Sequence, residues 1–394
     1  MNTSINAEQE FDMLLAHVQQ LGRDLIRPIA VDVDRDARFP KEAFDAFKSC
    51  KLLSVYVPKA MGGMGLSITQ VCKLCEILGG YCASTAMIFA MHQIQVACIV
   101  HHCEGANFFQ NFLRDLVREQ YLLASATTEL GVGGDLRSSQ CAVQVTDDSF
   151  TLEKQAPVIS YGAQADFILV TCRKNSDAMP SDQLQVLVDR RAAKLDPIST
   201  WDTLGFRGTC SSGFHLQSTG HVQQIQPVPF ADILARTMHP VSHLVWGSLW
   251  LGLAQDAVAI ARSTVRAAAR KNPATPPISA LRLTEVDEQL YNMRANVQMT
   301  LNDYQQKLLT NDSEAFEQFS YALGVNNLKL CSSELLVEIV SKTMMIVGIM
   351  GYKNDSPISL GRHLRDAYGA ALMVNNDRIR NHNSTMQIMV RDGR

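Results

Sequence analysis

Between residues 125 and 135 the chain reads SATTELGVGGD, with Thr127 and Thr128 leading into Glu129, and Gly131, Gly133 and Gly134 ahead of Asp135. Glycine at this density lets a backbone turn tightly or come within contact distance of a flat ligand. Two readings are open. The stretch is a Gly-rich loop closed by Asp135, or a backbone shelf whose N–H groups meet an electron-rich ring or a phosphate. Three more segments carry similar residue types. PVISYGAQADFILVTCR (157–173) reads as two strands joined at Gly162-Ala163, with Ser160 near the turn. TWDTLGFRGTCSSGFHL (200–216) centres on Gly205, Phe206, Arg207, Gly208 and Thr209, and VGIMGYKNDSPISLGRHLRDAYGAALMVNNDRI covers 347–379. Cys72 and Cys75 form C-x-x-C, but inside a helix-like pattern (QVCKLCEIL) and with no second pair at zinc spacing. They read as packing residues, and no metal site is expected.

Positioning such loops takes a framework, and the hydrophobic periodicity supplies one. Up to residue 120 apolar residues recur at three-and-four spacing, as in FDMLLAHVQQLGRDLIRPIA, and the small-residue run CASTAMIFAMHQIQVACIVHH predicts a helix buried on most sides. From Tyr121 to about Phe230 short β-type runs alternate with turn residues: YLLASAT, CAVQVTD, SFTLEKQ, DFILVTCR, LQVLVD and SGFHLQS. After Pro240 the helical period returns, in two long amphipathic segments separated by the Pro-rich connector NPATPPISA. The predicted fold is α+β and multi-domain: an N-terminal helical domain (1–120), a middle antiparallel β-barrel or sandwich (121–230) and a C-terminal four-helix bundle (231–394).

Composition narrows the function class. The 394 residues are 46% apolar and 19% charged, with a net charge of −3 spread along the chain, and two or three domains are expected from length. No basic patch argues for nucleic acid. The N-terminus has neither a basic region nor a continuous apolar run, so no secretory signal is expected. The most apolar window, Leu244 to Ala254, is shorter than the roughly 18–20 residues a membrane span needs. Ten cysteines without a signal read as reduced thiols in the cytoplasm.

Taken in order, the four segments resemble the acyl-CoA dehydrogenase superfamily of flavoenzymes. SATTELGVGGD is similar to that family's T-E-P-x-x-G-S-D loop, PVISYGAQAD to W-I-[ST]-N-x-x-x-A-D, LGFRGTCS to G-M-R-x-T-x-S, and GIMGY with LGRHLRD to G-G-x-G-[YF] followed by R-x-x-R-D. FPKEAFDAFKSCKLLSVYVPKAMGGMGLSITQV matches the family's opening helices and loop, so the resemblance covers nearly the whole chain. It implies FAD as cofactor, with Thr128, beside Thr127, at the pyrimidine edge of the flavin and Ser160 donating to its N5. Gly133 and Gly134 would let the backbone approach the ring. Arg270 would meet the pyrophosphate, and Gly348 and Gly351 would meet the adenylate of a neighbouring subunit. Asn376 completes the implied cofactor set. Donors at the pyrimidine edge and at N5 stabilise the charge of reduced flavin.

The departures from the family pattern bear on the reaction. Leu130 stands at the loop proline, Gly134 at the serine, Val158 at the tryptophan, and Met345 at the glutamine before the Gly loop. The R-x-x-F-G stretch is replaced by ARKNPATPPIS. The carboxylate base falls on Val374, or, by the alternative placement on the long helix, on Ser242 followed by His243. Asp377, the nearest acid, His92, in the helix that lines the acyl pocket in this family, and His382, near the C-terminal loop, are the three residues that could take the base's place, the first two being the candidates carried forward. Asp377 also reads as a helix-start residue and His92 as a packing residue. His382 sits in a loop-like RNHNS, and Glu129 has a structural role by resemblance.

The resemblance implies α,β-desaturation of an acyl thioester, carried by CoA or a carrier protein: the α-proton goes to a base and hydride to flavin N5. A homodimer or homotetramer follows, with an electron-transfer flavoprotein as one acceptor. The missing acid also fits a monooxygenase of the same superfamily, which receives reduced flavin and reacts it with oxygen, or a subunit that contributes mainly assembly.

Overall fold

The computed structural model describes residues 6–132, 135–310 and 314–390. Six helices open the chain: α1 (Ala7–Leu21), α2 (Arg27–Arg35), α3 (Lys41–Ser49), α4 (Ile68–Gly79), α5 (Ala83–Val100) and α6 (Asn107–Glu119). A π turn at Gly22–Ile26 joins α1 to α2. Asn6 and Ser67 start α1 and α4 with reciprocal capping boxes, their side chains accepting from the N3 amides of Gln9 and Gln70. In α5 every residue but Met91 and Val100 is buried, as its uniform small-apolar composition predicts.

The middle of the chain holds seven strands: β1 (Leu123–Ala126), β2 (Gln144–Thr146), β3 (Ser149–Ala156), β4 (Phe167–Arg173), β5 (Gln183–Asp189), β6 (Ala193–Ser199) and β7 (Gly213–His221). They form two sheets, ordered β1-β4-β5 and β2-β3-β7-β6. Here the expectation needs correcting, because the sheets do not close into a barrel and the pairing is not all antiparallel. β1 runs parallel to β4 with Leu123 opposite Phe167. Two strands of the other sheet, β2 and β3, lie in the long crossover between them. A crossover of that length is what parallel neighbours require. The second sheet is antiparallel throughout, and along β3 the residues alternate strictly between exposed and buried, from Ser149 to Ala156.

Helices resume with α7 (Phe230–Ile233), followed by α8 (His239–Lys271), α9 (Ile278–Thr310), α10 (Phe319–Val347), α11 (Ile349–Tyr352), α12 (Gly361–Leu372) and α13 (Asn376–Met389). α8, α9 and α10 pack on one another, with α12 and α13 laid against α10, so the bundle is present as predicted. The Pro-rich connector is the turn between α8 and α9. Two helical segments are long and apolar enough to cross a membrane by length and composition, Ala83–Val100 and Phe230–Lys271. Inside the protein 89% and 72% of their apolar windows are buried, so they form its core. The sequence window at 244–254 understated the second because α8 continues well beyond it.

Candidate functional site

Three loops and the end of the bundle converge on one region. The 158–162 turn and the 205–212 loop are stitched together by Ile159 N–H to Ser212 O (2.9 Å) and Tyr161 N–H to Thr209 O (2.8 Å). The same loop is docked on α12, where Phe206 N–H donates to the Asp366 carboxylate at 2.6 Å. Burial pushes the Asp366 carboxyl up to about 6, against the lowering pull of Arg362 and of that N–H donor. Gly205 permits the docking: a Cβ there would lie 2.2 Å from the Arg365 carbonyl oxygen.

Backbone strain gathers at the same place. Nine described non-glycine residues have positive φ. Five of them are Tyr161, Phe206, Cys210, Val374 and Asn375, in the turn, the loop and the α12–α13 connection. For a β-branched residue such as Val374, with φ of 57°, this is a costly conformation. Strain that clusters and persists is a mark of functional sites. Val374 is also the position at which the resemblance puts the missing carboxylate.

The Ser160 hydroxyl is half-buried and accepts from Ser211 Oγ at 2.8 Å, which leaves its own proton for an outside acceptor. Thr128 differs from its implied role. Its hydroxyl donates to the Val158 carbonyl at 2.9 Å, so its side-chain proton is already engaged and it secures the 158–162 turn. Thr127 is half-buried just past β1. Glu129 is buried and accepts from Ser139 Oγ (2.6 Å), Cys141 N–H (2.6 Å) and Gln140 N–H (3.2 Å), with the fully buried Lys154 ammonium 3.5 Å away. That network folds the loop and confirms that Glu129 is no free base. Gly133 and Gly134 lie outside the described residues.

Neither His92 nor Asp377 holds a reactive position. His92 is fully buried with both ring nitrogens engaged: Nδ1 accepts from Leu123 N–H at 3.0 Å, so Nε2–H donates to Leu53 O at 2.7 Å. Burial lowers it to about 4, so the ring is neutral and pins β1 to the helical domain. The Asp377 side chain is 93% exposed in the first turn of α13, 3.4 Å from Arg380. Asn376 is likewise corrected as a cofactor contact. Its side-chain oxygen accepts from the buried Lys329 ammonium, and its amide donates to Ser333 Oγ at 3.1 Å, tying α13 to α10.

Three histidines line this end of the bundle instead. His382 on α13 has a buried Nε2 with no protein partner, and it feels the charges of Arg137 and Asp135 in the Gly-rich loop. Arg137 also acts on His239, at the start of α8, which burial lowers to about 4 and whose Nε2 meets Asn326 Oδ1 at 2.8 Å. His243, one turn on, donates Nδ1–H to His239 O at 2.9 Å, leaving a buried, unpartnered lone pair on Nε2. Orphaned buried nitrogens call for a ligand or water. Sequence reasoning weighs His382 as a replacement base and names His243 without a role, and it misses His239 and Arg137. Nothing in local pattern marks a helical histidine as pocket-facing.

The cofactor's far end is elsewhere. At 1.5 Å per residue, Arg270 lies roughly 46 Å along α8 from His239, exposed beside Arg262 and Arg266. Gly348, roughly 28 Å along α10 from Lys329, has φ of 72° and ψ of −149°, open to glycine alone. Gly351 donates its N–H to Gly348 O at 2.9 Å. Gly351 O accepts from Leu360 N–H at 2.8 Å, so the Gly loop adjoins the start of α12, whereas Arg270 lies at the far end of α8 from His239. The ring end of a flavin fits the residues present, since Ser160 has a free donor at a strained, rigid turn.

Comparison with known proteins agrees with this arrangement. Residues 8–120 match the acyl-CoA dehydrogenase N-terminal domain and residues 240–373 the acyl-CoA dehydrogenase C-terminal domain. Cyclohex-1-ene-1-carbonyl-CoA dehydrogenase of Syntrophus aciditrophicus is 30% identical over 162 residues, which is 41% of this chain and 39% of that protein. The amino sugar nitrososynthase DnmZ of Streptomyces peucetius is 24% identical over 356 residues, 87% of this chain and 84% of that one. Among solved structures, FMN-bound TdsC of Paenibacillus sp. A11-2, a dibenzothiophene monooxygenase, shares the fold with a TM-score of 0.82 at 18% identity, covering 96% of this chain and 98% of its own. Two family domains in order, flanking the sheet region, place this chain in the acyl-CoA dehydrogenase superfamily of flavin-dependent oxidoreductases.

Proposed function

We propose that this chain is a flavin-dependent monooxygenase that takes reduced flavin and oxygen and acts on a nitrogen or sulfur centre of a small substrate. The observation that carries this reading is the chemistry at the two family base positions. They are Val374 and Ser242, neither of them a carboxylate, and the titratable side chains around them include His239, His243, His382, Arg137 and the buried Lys329. A thioester desaturase needs a group that removes an α-proton, whereas oxygen transfer to a heteroatom does not. Among the proteins that align over most of both chains, a nitrososynthase and a dibenzothiophene monooxygenase support this reading, and they stand beside a short-chain acyl-CoA dehydrogenase and a butyryl-CoA dehydrogenase of the same fold. Bound reduced flavin would supply the electrons for oxygen. Ser160 would orient the ring, Arg137 would hold negative charge, and neutral His382 and His239 would offer hydrogen bonds in a site sheltered from water. The resemblance implies FAD; FMN fits the same ring contacts. Arg270, Gly348 and Gly351 would serve a neighbour's cofactor, in a dimer or a dimer of dimers.

One observation favours a second reading, the FAD-dependent dehydrogenase acting on an acyl-CoA or acyl-carrier-protein thioester. The Nε2 lone pair of His243 is buried and unpartnered, at the place where some family members carry their base. In that case an electron-transfer flavoprotein would be the natural acceptor. Two assays on the purified chain separate the readings. Reduced FMN or FAD with oxygen and a panel of amines and sulfides should yield oxygenated product. Saturated acyl-CoA thioesters added without oxygen should leave the bound flavin's visible band intact. Bleaching by any thioester would overturn the monooxygenase reading.

A further inference from the structure

The Ser160 hydroxyl ends a chain that runs inward. Ser211 Oγ donates to it at 2.8 Å, Thr209 Oγ1 lies 2.7 Å from Ser211 Oγ, and Thr209 Oγ1 reaches the Phe206 carbonyl at 2.8 Å. Thr209 and Ser211 are 2% and 3% exposed, so water does not substitute for either hydroxyl. The left-handed conformation of Cys210 brings the Thr209 and Ser211 hydroxyls together. Cys210 between them turns its thiol the other way, to Ala37 O. The frame is rigid: amides on both sides of Ser160 bond to the 209–212 segment, and Tyr161 and Cys210 are held at φ of 43° and 46°.

Each hydroxyl has one proton and two lone pairs. Three in series therefore have two consistent directions. In the first, Ser211 donates to Ser160 while Thr209 donates to the Phe206 carbonyl, and the proton of Ser160 faces the cleft. In the second, Ser160 donates to Ser211, Ser211 to Thr209, and Thr209 to the Phe206 carbonyl, so that Ser160 offers a lone pair outward. The carbonyl closes the second arrangement, because without it the Thr209 proton would be buried and unpaired.

We propose that Thr209 and Ser211 are positioning residues that make Ser160 reversible, presenting a proton to the ring nitrogen of oxidised flavin and a lone pair to the N–H of reduced flavin. This rests on the assignment of the Ser160 turn to a flavin. Reversal rotates two O–H bonds, those of Ser160 and Ser211, and transfers no proton or electron. A chain able to invert stabilises both oxidation states, and losing Ser211 removes the acceptor that the reduced state requires.

The test is anaerobic spectroelectrochemical titration of protein loaded with FMN or FAD. Ser211→Ala should keep flavin bound and shift the reduction equilibrium about tenfold against reduction, which is about 30 mV for a two-electron couple. Thr209→Val should shift it the same way by less, and Ser211→Thr should return it to within about twofold of wild type. An unchanged potential in Ser211→Ala with flavin bound overturns the proposal, as does an equal shift in Ser211→Thr. If Ser211→Ala loses flavin, Thr209→Val decides by the same measure. Loss of flavin from both makes the chain a purely structural element and also overturns the proposal. Wild-type protein that binds no flavin would sink the assignment of the turn instead.

Discussion

Replacing His92 with glutamine should leave a protein whose stability depends less on acid than the wild type. Its ring nitrogens serve Leu123 N–H and Leu53 O with no solvent contact, and burial lowers its pKa from 6.5 to about 4. The sign follows from linkage. A histidine harder to protonate when folded adds stability above pH 6.5, and that stability drains away as pH falls toward 4. For a shift of this size the loss is about 2 kcal/mol by pH 5 and about 3 kcal/mol by pH 4. Glutamine can donate to Leu53 O and accept from Leu123 N–H, but it does not titrate. At pH 7 the substitution should cost about 1–3 kcal/mol through imperfect geometry. The gap between the two proteins in urea unfolding should then narrow by about 2 kcal/mol at pH 5. His101, His102 and His239, lowered in the same way, contribute to both proteins and cancel in the difference. A gap that is constant with pH would show that His92 titrates normally, and with it the argument against His92 as an accessible base would collapse.

Three further substitutions probe the site's framework. Gly205→Ala puts a methyl group 2.2 Å from a backbone oxygen of α12 and should cost about 3 kcal/mol or more, read as a lowered thermal midpoint together with weakened flavin binding. Val374→Gly should stabilise the chain by about 1 kcal/mol, the strain at φ of 57° less the added chain entropy; a destabilised variant in urea would show that the connection is unstrained. Asp377→Asn, at a side chain 93% exposed, should change stability by less than about 0.5 kcal/mol and leave flavin affinity and turnover as they were. Turnover lost with flavin still bound would restore Asp377 as the reacting acid.

The loops that meet at Ser160 were legible because their glycines and turn residues answer local demands. Gly205 must let α12 approach, and Ser160 sits at a turn that any reading of PVISYGAQAD would mark. The bundle was legible for a similar reason, since apolar period survives in a long helix whatever it packs on. What stayed hidden was where each polar side chain directs its hydrogen bonds. His92 and His243 lie on apolar helices with nothing nearby in the chain to tell them apart. Yet one has both nitrogens paired, and the other keeps a buried lone pair free. Asn376 and Asp377 are adjacent, and α13 turns the first into the bundle against Lys329 and the second into water. The parallel pairing of β1 with β4 was hidden too, since runs of β-type residues carry no sign of direction. In each case the deciding partner is distant in sequence: Leu53 for His92, Lys329 for Asn376, Phe167 for Leu123. Thr209 and Ser211 belong with the hidden half, since their hydroxyls meet through the left-handed Cys210 and reach Ser160 through the backbone bonds joining the two loops. A site of this kind is therefore written locally in its turns and nonlocally in its protons, and the reaction it performs depends on the second.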